Sequence, residues 1–387
     1  MISDISQTVL SLLAYCKRNN WAGYDPYDAL NSRLFNATPF RVSKLCRLVL
    51  TQGLKRLPLN IRPVLLIDRE QNPKALALFL AAGLRLSRLG IPGTETIAGD
   101  MIARLEALRS RGTSYWCWGY SFPWQTRTVL VPRGAPNVVC TVFVADALLD
   151  AYEASREARL LDMADSACRY MLEELYWTDA DGTASFSYPM PGIRTKVHNA
   201  NLLGAALLCR LYRHTGDNKY LEPALKLVRY TVTRQKQSGA WDYGEHATQG
   251  WADNFHTGYN LCALRSIARN IGTGEFDAAI QRGFEFYRAN FFKENGAPKY
   301  FHDRTYPIDA HCVAQSIITL LEFMDLDAGS IDMAKKVYRW AMENLWDARG
   351  YFYYQVQPVY KNRISYMRWT QAWMLLALAK LLEQQTK

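Results

Sequence analysis

HNANLLGAALLCRLYRHTGDNKYLEPALK, residues 198–226, is the stretch from which the architecture is read. Residues 197–212 are almost wholly apolar, with Leu202, Leu203, Ala205, Ala206, Leu207 and Leu208 in succession. A helix apolar on every side must be buried. The turn His214-Thr215-Gly216-Asp217 follows; Gly216 suits a left-handed helix C-terminus and Asp217 the N-cap of a second helix. Residues 219–233 then carry apolar side chains on one face only, as a helix covering a buried one from outside does. The unit is a helical hairpin with an inner and an outer member. The same contrast recurs at 253–271 with 275–293 and at 309–325 with 330–346.

Working outward, the hairpin repeats along the chain. Five aromatic-rich stretches, at 115–120, 186–188, 241–243, 299–301 and 351–354, each precede a polar residue that opens a long apolar helix. Those opening residues are Asn137, His198, Asn254, Asp309 and Arg368, spaced 61, 56, 55 and 59 apart, with a weaker one, Asn72, 65 residues before Asn137. The first helix (4–18) lacks a partner before it and the last (364–383) lacks one after it. Pairing them closes a ring of about six hairpins. Alternating β-branched runs are short and confined to the aromatic loops, so strand content is expected only there. Segment 40–56 falls outside the repeat, and its role is not read.

The bulk properties set the outer limits. The chain has 387 residues, 49% of them hydrophobic, and no Gly/Ser-rich, Pro-rich or charge-run linker, so residues 1–387 are expected to form one domain. Residues 1–20 contain an apolar patch but neither a basic lead-in nor a small-residue cleavage site, which argues against a signal peptide. No run of 18 apolar residues occurs, so no membrane span is expected, while peripheral association stays open. Eight cysteines stand singly with no C-x-x-C pair, a pattern of reduced, buried thiols and a cytoplasmic location. A net charge of +10 suits an anionic substrate, a membrane surface or nucleic acid. The basic residues read as spread along the helices, so nucleic acid is not expected as a partner.

The layout, over roughly residues 70–385, resembles the all-α (α/α)6 toroids: six-hairpin glycosidases, uronate lyases and epimerases, and the N-acylglucosamine 2-epimerase type. It is also similar to toroid proteins of bacterial exopolysaccharide clusters. The resemblance implies a carbohydrate-active protein of polysaccharide biosynthesis or modification, working from a central cleft. Fold alone does not specify chemistry.

The histidines point to the face where that cleft should open. His198, His246, His256, His302 and His311 fall in aromatic loops or at inner-helix starts; only His214 lies in an opposite-face turn. Aromatic rings there can stack on the C–H face of a sugar. Trp116, Trp118, Trp124, Trp241, Tyr243, Trp251 and Trp369 are candidates, and packing in the core is the plainer reading of each. Helix N-termini and Arg127, Arg194, Arg304 and Arg368 add positive charge, which favours a carboxylated sugar.

The densest cluster is residues 251–260, WADNFHTGYN. On a helix starting near Asp253, His256 shares a face with Tyr259 and Asn260. The cluster resembles the Asn/His/Tyr signature of toroid polysaccharide lyases without matching it residue by residue. That resemblance implies Asn254 neutralising a substrate carboxylate while His256 or Tyr259 moves the proton at the neighbouring carbon, C5 of a uronate, for β-elimination or epimerisation. Read structurally, Asp253 is an N-cap and His256 a satisfied buried histidine. Asp253 and Asp309 are also the best pair for the alternative of glycoside hydrolysis, which needs two flanking carboxyl groups. His198 and His311 repeat the polar-cluster theme as acid/base or sugar-binding residues, and Trp241, Tyr243 and His302 join the binding set. A third reading is a non-catalytic carbohydrate-binding scaffold. No metal is expected, since Cys117 with His302 or Cys312 offers no close-spaced ligand pair. No phosphate loop, dinucleotide fingerprint or G-x-S-x-G elbow is found, and no cofactor is expected.

Overall fold

The computed structural model describes residues 2–386. The chain enters through α1 (Ile2–Arg18), then a segment holding the one-turn α2 (Arg33–Asn36) and α3 (Lys44–Arg56). Five hairpins follow: α4 (Pro73–Arg88) with α5 (Ile97–Ala107), α6 (Val138–Ser155) with α7 (Ala158–Tyr170), and α8 (His198–Thr215) with α9 (Asn218–Thr233). The last two are α10 (Asn254–Ile271) with α11 (Asp277–Asn290) and α12 (Ala310–Glu322) with α13 (Ser330–Asn344). The final helix, α14 (Trp373–Gln385), packs against α1.

The inner helices α4, α6, α8, α10, α12 and α14 touch in that order, and α14 returns to α4, closing the ring. Each outer helix covers its own inner partner, and α1 covers α14, which makes the sixth hairpin from the two ends of the chain. The inner/outer contrast is plain in the structure: every residue of α12 except Glu322 is buried, whereas α9 buries one stripe. Gly216 ends α8 with φ +71, and Asp217 caps α9 by accepting from the Lys219 N–H. Strands are two or three residues long, at Tyr176–Thr178 with Ala184–Phe186 and at Trp346–Asp347 with Tyr351–Phe352, for example.

The start of α14 departs from the simple hairpin. A π-helical turn, Met367–Ala372, precedes it, so that Arg368 and Trp369 sit in a widened turn. Segment 40–56, unread in the sequence, is mostly α3, started by Ser43, which accepts from the Cys46 N–H. Two buried ion pairs tie this N-terminal region down: Arg368 to Asp25 at 2.6 and 2.7 Å, and Arg62 Nε to Asp28 at 2.7 Å.

Close approach of the inner helices depends on small residues. A Cβ on Gly258 of α10 would lie 2.6 Å from Thr319 Oγ1 and 2.8 Å from Gln315 Cγ on α12. Gly258→Ala is therefore expected to cost about 1–3 kcal/mol through overpacking, read as a lower urea midpoint with the circular dichroism spectrum retained.

Candidate functional site

Each inner helix must satisfy the free N–H groups of its first turn, and polar caps do this at the ring mouth. Asn72, Asn137, Asp253 and Asp309 accept from the backbone N–H groups of Lys74, Cys140, His256 and His311. Val197 and Tyr366 occupy the equivalent cap positions of α8 and the π-helical turn. Two residues beyond these six positions stand Lys74, Val139, Asn199, Phe255, His311 and Arg368, and all six line one central cavity of about 550 Å³. The cavity wall is otherwise largely aromatic, with Tyr27, Tyr120, Trp124, Tyr188, Tyr243, Trp251, Tyr300 and Trp369 among its rings. Lys55 and Arg127 add cations; no Asp or Glu lines it among the described residues.

Two imidazoles meet here on either side of Phe255, whose ring centroid lies 4.1 Å from that of His256 and 4.5 Å from that of His311. His256 Nδ1 lies 2.8 and 3.0 Å from the two carboxylate oxygens of Asp253. Because a carboxylate only accepts, Nδ1 is the donor to Asp253, and in the neutral ring Nε2 is the atom left with a lone pair. Asp253 thus caps α10 and orients the ring at once. The His256 side chain is 19% exposed and that of Asp253 fully buried.

The second imidazole has a different partner. His311 Nε2 lies 2.6 Å from Tyr259 Oη, one turn along α10 from His256. Burial drives the His311 pKa well below 6.5, with the charges of Lys74, Arg368 and His256 adding to the effect, so the ring is neutral near pH 7. Burial holds the Tyr259 phenol well above 10. The pair is a neutral phenol–imidazole couple.

Lys74 was not singled out in the sequence. Its Nζ is surrounded by the rings of Phe143, Tyr259 and Trp373, at 4.0, 5.3 and 5.2 Å, and burial pushes its pKa well below 10.5. Arg368 stays charged: burial opposes the charge, but the Asp25 carboxylate outweighs it and raises the pKa.

Of the residues read from the sequence, His256, Tyr259, His311, Trp124, Arg127, Tyr243, Arg368 and Trp369 come together in the cavity wall. Others do not. His198 and Asn254 are the first residues of their helices and do not line the cavity; Asn254 Oδ1 instead accepts from Tyr287 and Ser316. Trp241 is buried, its Nε1–H donated to the Thr231 carbonyl. His302 packs on Phe286 and Phe291. His214 lies in a turn remote from the mouth and bonds Glu153 at 2.9 Å. Asp309 is fully buried behind Trp369, whose Nε1 approaches it at 2.9 Å. Asp309 and Asp253 therefore do not present two carboxyl groups to the cavity. Lys74, Asp25, Tyr27, Lys55, Tyr188 and Tyr300 were missed; the offset from each cap would have found Lys74.

Burial raises the Asp309 pKa from 3.8 to about 7, against the opposing influence of the His311 N–H, Trp369, Lys55 and Gln355. The folded state then keeps a proton that the unfolded chain has released, so stability falls as pH rises through that interval. Asp309→Asn, which retains capping ability, should remove this dependence. Thermal unfolding from about pH 4 to about pH 7 should show wild type losing ground to the variant.

No family model matches the chain, and no curated protein matches it. Solved structures do. A cellobiose 2-epimerase from Bacillus thermoamylovorans is similar over 82% of this chain and 90% of its own, with a TM-score of 0.63 and 12% identity. A family 76 α-mannanase from Bacteroides thetaiotaomicron is similar over 81% and 86%, with a TM-score of 0.60 and 13% identity. A protein from Listeria innocua is similar over 99% and 98%, with a TM-score of 0.65 and 14% identity. At such identities the likeness shows the fold alone: the chain is an (α/α)6 toroid, and its structural neighbours are six-hairpin, glycosidase-like toroids.

Proposed function

We propose that this toroid is a carbohydrate-active enzyme of polysaccharide biosynthesis or modification that moves a proton on an acidic, uronate-containing oligo- or polysaccharide, as an epimerase or lyase. The observation that carries the reading is the pair of imidazoles flanking Phe255 in one cavity, each with its own partner, where no carboxylate lines the wall among the described residues. Aromatic walls supply faces for sugar C–H groups, and the hydroxyls of Tyr27, Tyr120, Tyr188 and Tyr300 supply polar partners. Lys55, Arg127 and Arg368 support an anionic substrate. A cellobiose 2-epimerase among the structural neighbours is consistent with a sugar-modifying role.

In this scheme His256 Nε2 takes the proton from C5, with Asp253 stabilising the imidazolium that forms. The C–H electron pair moves into the C5–C6 bond, and the added charge on the carboxylate oxygens is met by the cationic groups. For epimerisation, the Tyr259 phenol gives its proton to the opposite face of C5, and the proton held on His256 passes back to the phenolate through solvent once the product leaves. For elimination, the C4–O bond breaks instead, and the leaving oxygen takes the proton. Hydrolysis fits less well, because it needs two carboxyl groups across the scissile bond. Asp253 is engaged by His256, and Asp309 by Trp369.

The test is incubation with uronate oligosaccharides in D2O, followed by NMR at C5 and ultraviolet detection of unsaturated ends. Exchange or unsaturation is expected, reduced roughly 10²–10⁴-fold in His256→Ala and Tyr259→Phe. New reducing ends without either signal would establish the hydrolase. Binding without turnover, unaffected by His256→Ala, would establish the scaffold.

A further inference from the structure

The net charge is less evenly spread than the sequence reading supposed. Residues 29–67 contain seven Lys or Arg and no Asp or Glu, out of a chain total of +10. The same segment is unusually apolar on its outside. Of fifteen large apolar side chains exposed among the described residues, nine lie within residues 34–66. Phe40, Val42, Leu45 and Val49 are 60%, 76%, 70% and 63% exposed. On α3, Leu45 and Val49 lie four residues apart on the outer stripe, whereas Thr51 and Leu54 are buried beneath it. Arg33 and Arg62 pair with Asp68 and Asp28. Arg41, Lys44 and Arg56 are exposed and form no ion pair among the described residues.

We propose that this surface docks the protein onto an anionic lipid bilayer. Apolar side chains interleaved with unpaired cations suit the boundary between acyl chains and negatively charged headgroups. A second copy of this chain suits it poorly, because a two-fold contact would set these like charges against one another. Nucleic acid would use the cations but leave Val42, Leu45 and Val49 without a role. Association would be superficial, since no helix of the described residues is long and apolar enough to cross a membrane. The inner side of α3 carries Lys55 into the cavity wall, its Nζ 2.6 Å from Tyr27 Oη, so docking would hold the cavity mouth beside the membrane. The proposal does not depend on the chemistry assigned to the cavity.

The experiment is sedimentation of the full chain with vesicles of phosphatidylcholine alone or mixed with phosphatidylglycerol, at low salt and at about 0.5 M salt, where charge interactions are strongly screened. Binding only to the anionic vesicles, weakened by salt, is expected. Arg41→Gln with Lys44→Gln should reduce partitioning roughly tenfold or more, at about fivefold per charge removed near such a surface. Leu45→Glu with Val49→Glu should abolish it while leaving the unfolding midpoint unchanged. Failure to sediment with anionic vesicles at low salt would overturn the proposal, as would undiminished binding by the Leu45/Val49 variant. So would a concentration-dependent dimer that this variant dissociates, if vesicles are not bound.

Discussion

The first turn of an α-helix leaves backbone N–H groups without partners, and in a closed ring of six inner helices all of those turns meet at one mouth. Water cannot serve them freely there, so side chains must. The side-chain caps at Asn72, Asn137, Asp253 and Asp309 answer that requirement, and each sets the rotation of the helix that follows. The consequence is geometric: the residue two beyond each cap position faces the centre, and the residue one beyond is turned into the wall. A cap is in this sense also an aiming device. Asp253 shows the economy of the arrangement, since one carboxylate both starts α10 and orders the imidazole three residues later.

Differences of one or two residues in position explain what the sequence could and could not disclose. The ring itself was legible because burial forces a period: nearly all-apolar helices alternate with one-faced ones at intervals of 55 to 65 residues. The mouth was legible because polar, aromatic and histidine residues gather before the apolar runs. Individual site residues were not, because neighbouring positions with similar chemistry point in different directions. Asn254 and His256 read equally well on a page, yet Asn254 bonds Tyr287 and Ser316 in the wall while His256 opens to the cavity. Lys74 escaped notice for another reason. A lysine near a helix start normally reads as surface, and only the closed ring buries it among Phe143, Tyr259 and Trp373.

The electrostatics follow from the same construction. Parallel inner helices bring six positive ends toward one cavity, and Lys55, Arg127 and Arg368 line it as well. Carboxylates are placed behind this surface: Asp25 under Arg368, Asp253 under His256, and Asp309 behind Trp369. Each stabilises a positively charged or N–H-bearing group from the rear. Such an arrangement keeps the positive potential facing inward without leaving buried cations unpaired, a cost that removal of one partner would expose. Lys74 is the exception, and its depressed pKa is the expected response of an amine that burial has left without a carboxylate.

Segment 40–56 lay outside the reading because periodicity says nothing about an insertion. The structure separates two faces on it. Thr51 and Leu54 face inward, and the stripe carrying Leu45 and Val49 faces water. A helix with an apolar face left outside either has a partner or is poorly soluble. Here the neighbouring charges are of one sign, which narrows the partner to something negative and apolar together. The ion pair of Asp25 with Arg368 binds the surrounding region to the ring, and that of Asp28 with Arg62 ties the region to itself. The outward stripe is therefore presented by a fixed frame, and the cavity and the surface beside it hold a defined relation to each other.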